Sequence, residues 1–366
     1  MIVIMKPNTA VSEIERISSK LISWGVNPER MVGKYNTIIG LIGETETINC
    51  KQILQLSPFI EEVVEIDKPF KKASLEYRNG EFSEVLVSTP NEIVTFGPKH
   101  PIVSIAGPCS VENEAMIVET AQKVKAAGAK FLRGGAYKPR TSPYSFQGHG
   151  EKGLELLATA REATGLGIIT EVMDIGSVET VAEVADILQI GARNMKNFSL
   201  LKEVGSQNKP IFLKRGMSAT IKDLLMAAEY ILAAGNPNVI LCERGIRTFD
   251  RQYTRNTLDI SSVPVLRGLT HLPIAIDPSH GTGLSKYVPT MAKAAVVAGA
   301  DCLMIEVHPD PSTALSDGPQ SLTPAQYKTL MQEVNNLSLA VGRRVEKLSP
   351  AKTLTNSKQY AVSVKG

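Results

Sequence analysis

At 366 residues the chain is long for one domain and suggests two. Hydrophobic residues make up 43% and charged residues 21%, which fits a globular protein with a real core and excludes a disordered one. The net charge of +3 is not a nucleic-acid-binding surface, because residues 341–366 alone carry +5 and the remainder −2.

Four scattered cysteines, Cys50, Cys109, Cys242 and Cys302, do not form a disulfide framework. The opening "MIVIMKPNTA" lacks the charged region and cleavage site of a signal peptide, and no apolar run is long enough to span a bilayer. These features predict a cytoplasmic protein with reduced thiols and neither a membrane nor a nucleic-acid partner.

In chain order, "IVIMK" (2–6) predicts a strand and "VSEIERISSKLISWG" (11–25) a helix ended by glycine. "RMVGKY" and "TIIGLIG" predict two further strands, "NCKQILQLS" a helix and "IEEVVEI" (60–66) a strand. The order βαββαβ is that of a ferredoxin-like split unit, assigned to residues 1–68. A connector over 69–100 follows, where Asn79-Gly80 signals a hairpin or an exposed loop tip.

From residue 101 the pattern becomes strand then helix, repeated. Strands are predicted at 102–107, 130–135, 167–174, 187–192, 210–216, 239–245, 273–280 and 302–308. Eight such units predict a (β/α)8 TIM barrel over 101–340, with a disordered basic tail over 341–366. A doubly wound open sheet is the alternative, but there is no GxGxxG loop.

Active sites of such barrels lie at the C-terminal strand ends. In "KFLRGGAYKPRTSPYSFQGHG" (130–150), Lys130, Arg133, Lys138 and Arg140 fall within eleven residues, with no carboxylate between Glu119 and Glu151. Arg133, Lys138, Arg140, Arg193, Lys214 and Arg244 all stand at or just beyond strand ends. Six cations at one mouth would repel one another unless an anionic substrate compensates them.

Cys109, His280, Glu306 and Asp317 stand at the same ends. One thiolate, one imidazole and two carboxylates suit a borderline divalent ion such as Mn2+, Fe2+, Co2+ or Zn2+. Cys242 and Cys302 are read as core residues. Glu171, at the third strand end, either pairs with an arginine or handles protons.

Read in order, "GPCSVE", "RGGAYKPRTSPYSFQG", "TEVMD", "GARNMKNF", "LKRG", "CERGIRTFD", "DPSHGTG" and "IEVHPDPSTALSDGPQSL" resemble the 3-deoxy-D-arabino-heptulosonate 7-phosphate (DAHP) synthases, in the class with a ferredoxin-like N-terminal domain. The resemblance implies a metal-dependent condensation of phosphoenolpyruvate with erythrose 4-phosphate, the first step of the shikimate pathway. It carries Cys109, His280, Glu306 and Asp317 over as metal ligands, with manganese among the candidates. Arg133, Lys138, Arg193, Lys214 and Arg244 match the phosphoenolpyruvate site, and Arg140 and Thr141 the aldose-phosphate site. Lys138 is the candidate acid and Glu171 the candidate group for water. The small domain is expected to bind tyrosine or phenylalanine and to cover the active site, within a homotetramer.

One rival is 3-deoxy-D-manno-octulosonate 8-phosphate synthase, which shares the barrel but has "KANRSS" where this chain has "KPRTS". The other is a non-catalytic amino-acid-sensing protein, against which the full set of ligands and cations argues.

Overall fold

The computed structural model describes residues 1–33, 37–42, 45, 48–64, 68–138, 142 and 144–343. The small domain runs β1 (Ile2–Met5), α1 (Val11–Ile22), β2 (Asn27–Val32), β3 (Thr37–Ile42), α2 (Cys50–Leu54) and β4 (Ile60–Val64). Helix α1 buries Ile14, Ile17 and Leu21, one stripe at helical spacing, against Val3, Met5, Ile39 and Leu41 of the sheet. The sheet order β2-β3-β1-β4, with every pairing antiparallel, is the ferredoxin-like arrangement.

The connector holds a hairpin, and Asn79-Gly80 is not its turn but an exposed loop tip. Asn79, at φ 52°, instead caps a short 3-10 turn over Glu76–Arg78. The hairpin is β5 (Val85–Ser88) with β6 (Ile93–Phe96), closed by Thr89, whose N–H and hydroxyl both donate to Glu92 O at 2.8 Å.

Eight parallel strands then close into a barrel: β7 (Val103–Gly107), β8 (Phe131–Arg133), β9 (Gly167–Val172), β10 (Ile187–Ile190), β11 (Ile211–Lys214), β12 (Val239–Glu243), β13 (Ile274–Ile276) and β14 (Cys302–Glu306). Closure is the pairing of β14 with β7, from Cys302 opposite Val103 to Glu306 opposite Gly107. The strands are buried on both faces, which explains their near-continuous apolar runs.

The outer helices are α3 (Glu114–Ala126), α4 (Glu151–Thr164), α5 (Val178–Val184), α6 (Phe198–Gly205), α7 (Ile221–Ala233), α8 (Ser262–Leu269), a short α9 (Pro278–Thr282), α10 (Val288–Ala298) and α11 (Pro324–Ala340). Capping boxes start α7 at Thr220 and α11 at Thr323, fixing where each loop becomes helix.

The hairpin plugs the floor of the barrel. Val85, Val87, Val94 and Phe96 pack with the inward residues Val103, Phe131, Ile169, Ile187, Phe212, Ile240, Cys242 and Cys302. Cys242 and Cys302 are therefore core residues, as expected. Lys130 is not part of the mouth cluster; at the start of β8 it is buried and pairs with Glu92 of the plug at 2.7 Å.

The small domain also stands toward this closed end. Glu29 of β2 accepts from Lys72 Nζ at 2.7 Å and Tyr77 Oη at 2.9 Å. The backbone N–H groups of Lys72 and Ala73 in turn donate to Glu229 of α7, at 2.9 and 2.8 Å. Within one chain the small domain therefore stands away from the mouth of its own barrel.

Arg343, inside the expected tail, is anchored: its guanidinium donates to Ala300 O at 2.6 Å and His100 O at 3.1 Å. Residues 344–366, the rest of the expected tail, lie outside the described residues. Among the described residues no helix is long and apolar enough to cross a membrane.

Candidate active site and metal centre

Strand ends β7, β13 and β14 bring the four expected ligands together. Cys109 lies two residues past β7, beside Gly134-Gly135. A Cβ on Gly135 would sit 2.7 Å from Lys138 Cδ and 2.9 Å from Cys109 O, so glycine lets Lys138 fold over the thiol. Lys138 Nζ reaches Cys109 Sγ and Cys109 O, each at 3.0 Å. Asp317 takes the left-handed conformation at φ 52° and carries its carboxylate back over the mouth.

The Cys109 thiol is 3.2 Å from Asp317 Oδ2, and ligand atoms of Cys109, Glu306 and Asp317 all lie within 4.8 Å of one another. His280 Nε2 stands beside this triad, 3.4 Å from Glu306 Oε1 and 4.0 Å from Asp317 Oδ2, though it is not one of the three whose atoms all lie within 4.8 Å. A sulfur, an imidazole nitrogen and two carboxylates converging in this way fit a borderline divalent ion.

Their titration follows from burial and charge. Burial, then the Glu306 charge, pushes the Cys109 thiol up to about 11, against the pull of Lys138. Burial also works to raise Asp317, but His280 and Arg255 outweigh it and hold the carboxyl at about 2. Burial lowers His280, opposed by Asp277. A bound divalent ion favours the deprotonated thiol and a neutral imidazole.

The cations surround this group. Arg133, Lys138, Arg193, Lys214 and Arg244 line one cleft together with Glu171 and His280. Arg133 donates to Glu306, and Lys214 to Asp277 at 2.5 Å. Arg244 is buried, with one terminal nitrogen unpaired among the described residues; burial lowers its affinity for a proton. A buried guanidinium with a free edge is a ready anion contact. Arg140 and Thr141 lie outside the described residues.

Glu171 faces the same cleft from β9. Among the described residues its carboxylate accepts from Gln189 Nε2 at 3.3 Å rather than from an arginine, and Gly191 lies against it.

Sequence reading missed three participants. Arg255, in the loop after β12, lines the cleft and donates to Asp317 Oδ1 at 3.2 Å and Gln320 Oε1 at 2.9 Å. Gln320 donates in turn to Glu306 Oε2 at 2.6 Å. Asp277, wholly buried, takes Lys214 and lies 2.7 Å from His280 Nδ1, as a charge contact rather than an aligned hydrogen bond. Asp277 and Gln320 stand inside "DPSH" and "DGPQSL", so position beside a candidate ligand was the available signal. Arg255 offered none.

Two family models match this chain, the DAHP synthetase I family over residues 84–341 and the DAHP synthase ferredoxin-like domain over 1–68. The chain belongs to the DAHP synthase family. It is similar to phospho-2-dehydro-3-deoxyheptonate aldolase of Thermotoga maritima, 45% identical over 345 residues, covering 94% of this chain and 100% of that protein. The crystal structure of a Thermotoga maritima DAHP synthase superposes with a TM-score of 0.73 at 44% identity, covering 94% of this chain and 99% of that one. A 2-dehydro-3-deoxyphosphooctonate aldolase of Syntrophotalea carbinolica is 35% identical over 271 residues, covering 69% of this chain and 96% of its own length. Both the barrel and the small domain are thus those of DAHP synthases, and the chain is an enzyme of that family.

Proposed function

We propose that the chain condenses phosphoenolpyruvate with erythrose 4-phosphate and water, giving DAHP and phosphate. The observation that carries this is the convergence of Cys109, His280, Glu306 and Asp317 at the edge of one cation-lined cleft.

Cys109, His280, Glu306 and Asp317 would hold a divalent ion, Mn2+, Fe2+, Co2+ or Zn2+, which when bound supplies Lewis acidity toward the aldehyde oxygen. Arg133, Lys138, Arg193, Lys214 and Arg244 neutralise the phosphate and carboxylate of phosphoenolpyruvate. Arg140 and Thr141 hold the aldose phosphate. Carbon 3 of the enol bonds to the aldehyde carbon, and Lys138 gives a proton to the aldehyde oxygen. Water adds at carbon 2, losing its proton to Glu171, and phosphate leaves with cleavage of the carbon–oxygen bond.

The reading includes feedback inhibition by tyrosine or phenylalanine at the small domain, a homotetramer and a cytoplasmic location. The match to a ferredoxin-like DAHP synthase domain supports the first. Because that domain stands at the closed end, inhibition acts on its own mouth from a distance or through a neighbouring chain.

The test is phosphate release from phosphoenolpyruvate by metal-loaded and chelated protein, with erythrose 4-phosphate and arabinose 5-phosphate in parallel. Metal-dependent release with the four-carbon sugar supports the reading. Release only with the five-carbon sugar transfers it to the octulosonate enzyme, and no release favours a sensor. A Lys138→Met variant with full turnover would remove the lysine from its role as acid.

A further inference from the structure

Asp277 does not line the cleft, yet it touches both halves of the chemistry. It is fully buried, and its Oδ2 lies 2.5 Å from Lys214 Nζ and 2.7 Å from His280 Nδ1. Its Oδ1 accepts from the His280 backbone N–H at 2.9 Å, so the carboxylate is clamped from both sides. Lys214 in turn lines the cleft, and His280 Nε2 points at Glu306 and Asp317.

We propose that Asp277 is a positioning residue that joins the metal site to the anion site. The inference rests on the metal reading of Cys109, His280, Glu306 and Asp317.

Two effects follow from one carboxylate. Its negative charge, 2.7 Å from Nδ1 though off the hydrogen-bond axis, favours a proton on Nδ1 of neutral His280 and leaves the Nε2 lone pair directed at the other ligands. It also neutralises Lys214, whose ammonium would otherwise repel a divalent ion bound through the adjacent imidazole. A cation for the anionic substrate and a cationic metal can then share one wall.

The experiment measures Mn2+ binding alone, without turnover, on the full-length chain by competition with a chelating dye. Wild type, Asp277→Asn, Lys214→Met and the double variant are compared. Asp277→Asn is expected to raise the Mn2+ dissociation constant ~10–100-fold. In the Lys214→Met background the same substitution is expected to cost at least ~3-fold less, since the charge to be neutralised is gone. An unchanged dissociation constant in Asp277→Asn, or equal effects in the two backgrounds, overturns the proposal. Wild type that binds no Mn2+ overturns the metal reading and the proposal with it.

A second measurement is read on the wild type, so the outcome does not depend on Asp277→Asn folding. Nitrogen-15 NMR of the metal-free wild type, with His280 identified among the five histidines by difference against His280→Gln, reads the tautomer directly. The Nδ1–H form is expected, and the Nε2–H form overturns the proposal.

Discussion

Lys130 and Glu92 form an ion pair at 2.7 Å beneath the barrel, with the lysine side chain 1% exposed. The lysine belongs by sequence to the cation run before the mouth, and by structure to the seam between the hairpin and the start of β8. Removing Glu92 leaves a buried ammonium without its carboxylate. Glu92→Gln is expected to cost about 3 kcal/mol of stability. Urea unfolding checks this, and Glu92→Gln with Lys130→Met should recover most of the loss.

Gly191 leaves room for Glu171 and for nothing else. A Cβ there would lie 1.9 Å from Glu171 Oε1. Gly191→Ala is expected to displace the carboxylate and lower kcat about 100-fold, with the circular dichroism spectrum intact. Unchanged kcat would take Glu171 out of the reaction.

Gln320 is buried and serves two partners, donating to Glu306 and accepting from Arg255. Gln320→Leu keeps the bulk and removes both bonds, at an expected cost of about 2 kcal/mol. Metal affinity, read by equilibrium dialysis, should fall ~10-fold as Glu306 loses its orienting donor. Wild-type affinity would show that Arg133 alone holds Glu306 in place.

His271 makes the connector a source of acid lability. Its Nε2 lies 2.7 Å from Lys72 O, which can only accept, so Nε2 carries the hydrogen and Nδ1 accepts from Ser83 Oγ at 2.7 Å. Burial lowers the pKa to about 4. The unfolded chain, with a histidine near 6.5, binds the proton first as pH falls. Stability is therefore full above pH ~6.5 and is lost progressively down to pH ~4, to a total of ~3 kcal/mol. Denaturant midpoints across that range should slope in wild type and flatten in His271→Gln. An equal slope in both would place the acid lability elsewhere.

The barrel was legible because parallel strands between helices leave a repeating pattern, and because closing the sheet gathers every C-terminal end at one mouth. Arg133, Lys214, Arg244, Glu306 and His280 were found by position alone. Lys130, which shares the cation run of 130–140 but was not among the six strand-end cations, pairs with Glu92 instead, because its position before β8 puts it at the opposite end of the strand. Of the two readings of Asn79-Gly80 the exposed loop tip holds, because left-handed backbone serves a 3-10 cap as well as a hairpin turn. Arg255 and Gln320 meet across 65 residues, and no local period announces such a contact. The position of the small domain depends on Glu29, Lys72 and Tyr77, whose meeting is likewise tertiary.

The hairpin plug makes the barrel a vessel with one opening. Val85, Val87, Val94 and Phe96 seal its base, so everything that enters the cleft must leave past the same rim. A ligand seated on the buried Arg133 and Arg244 has no second exit through the base.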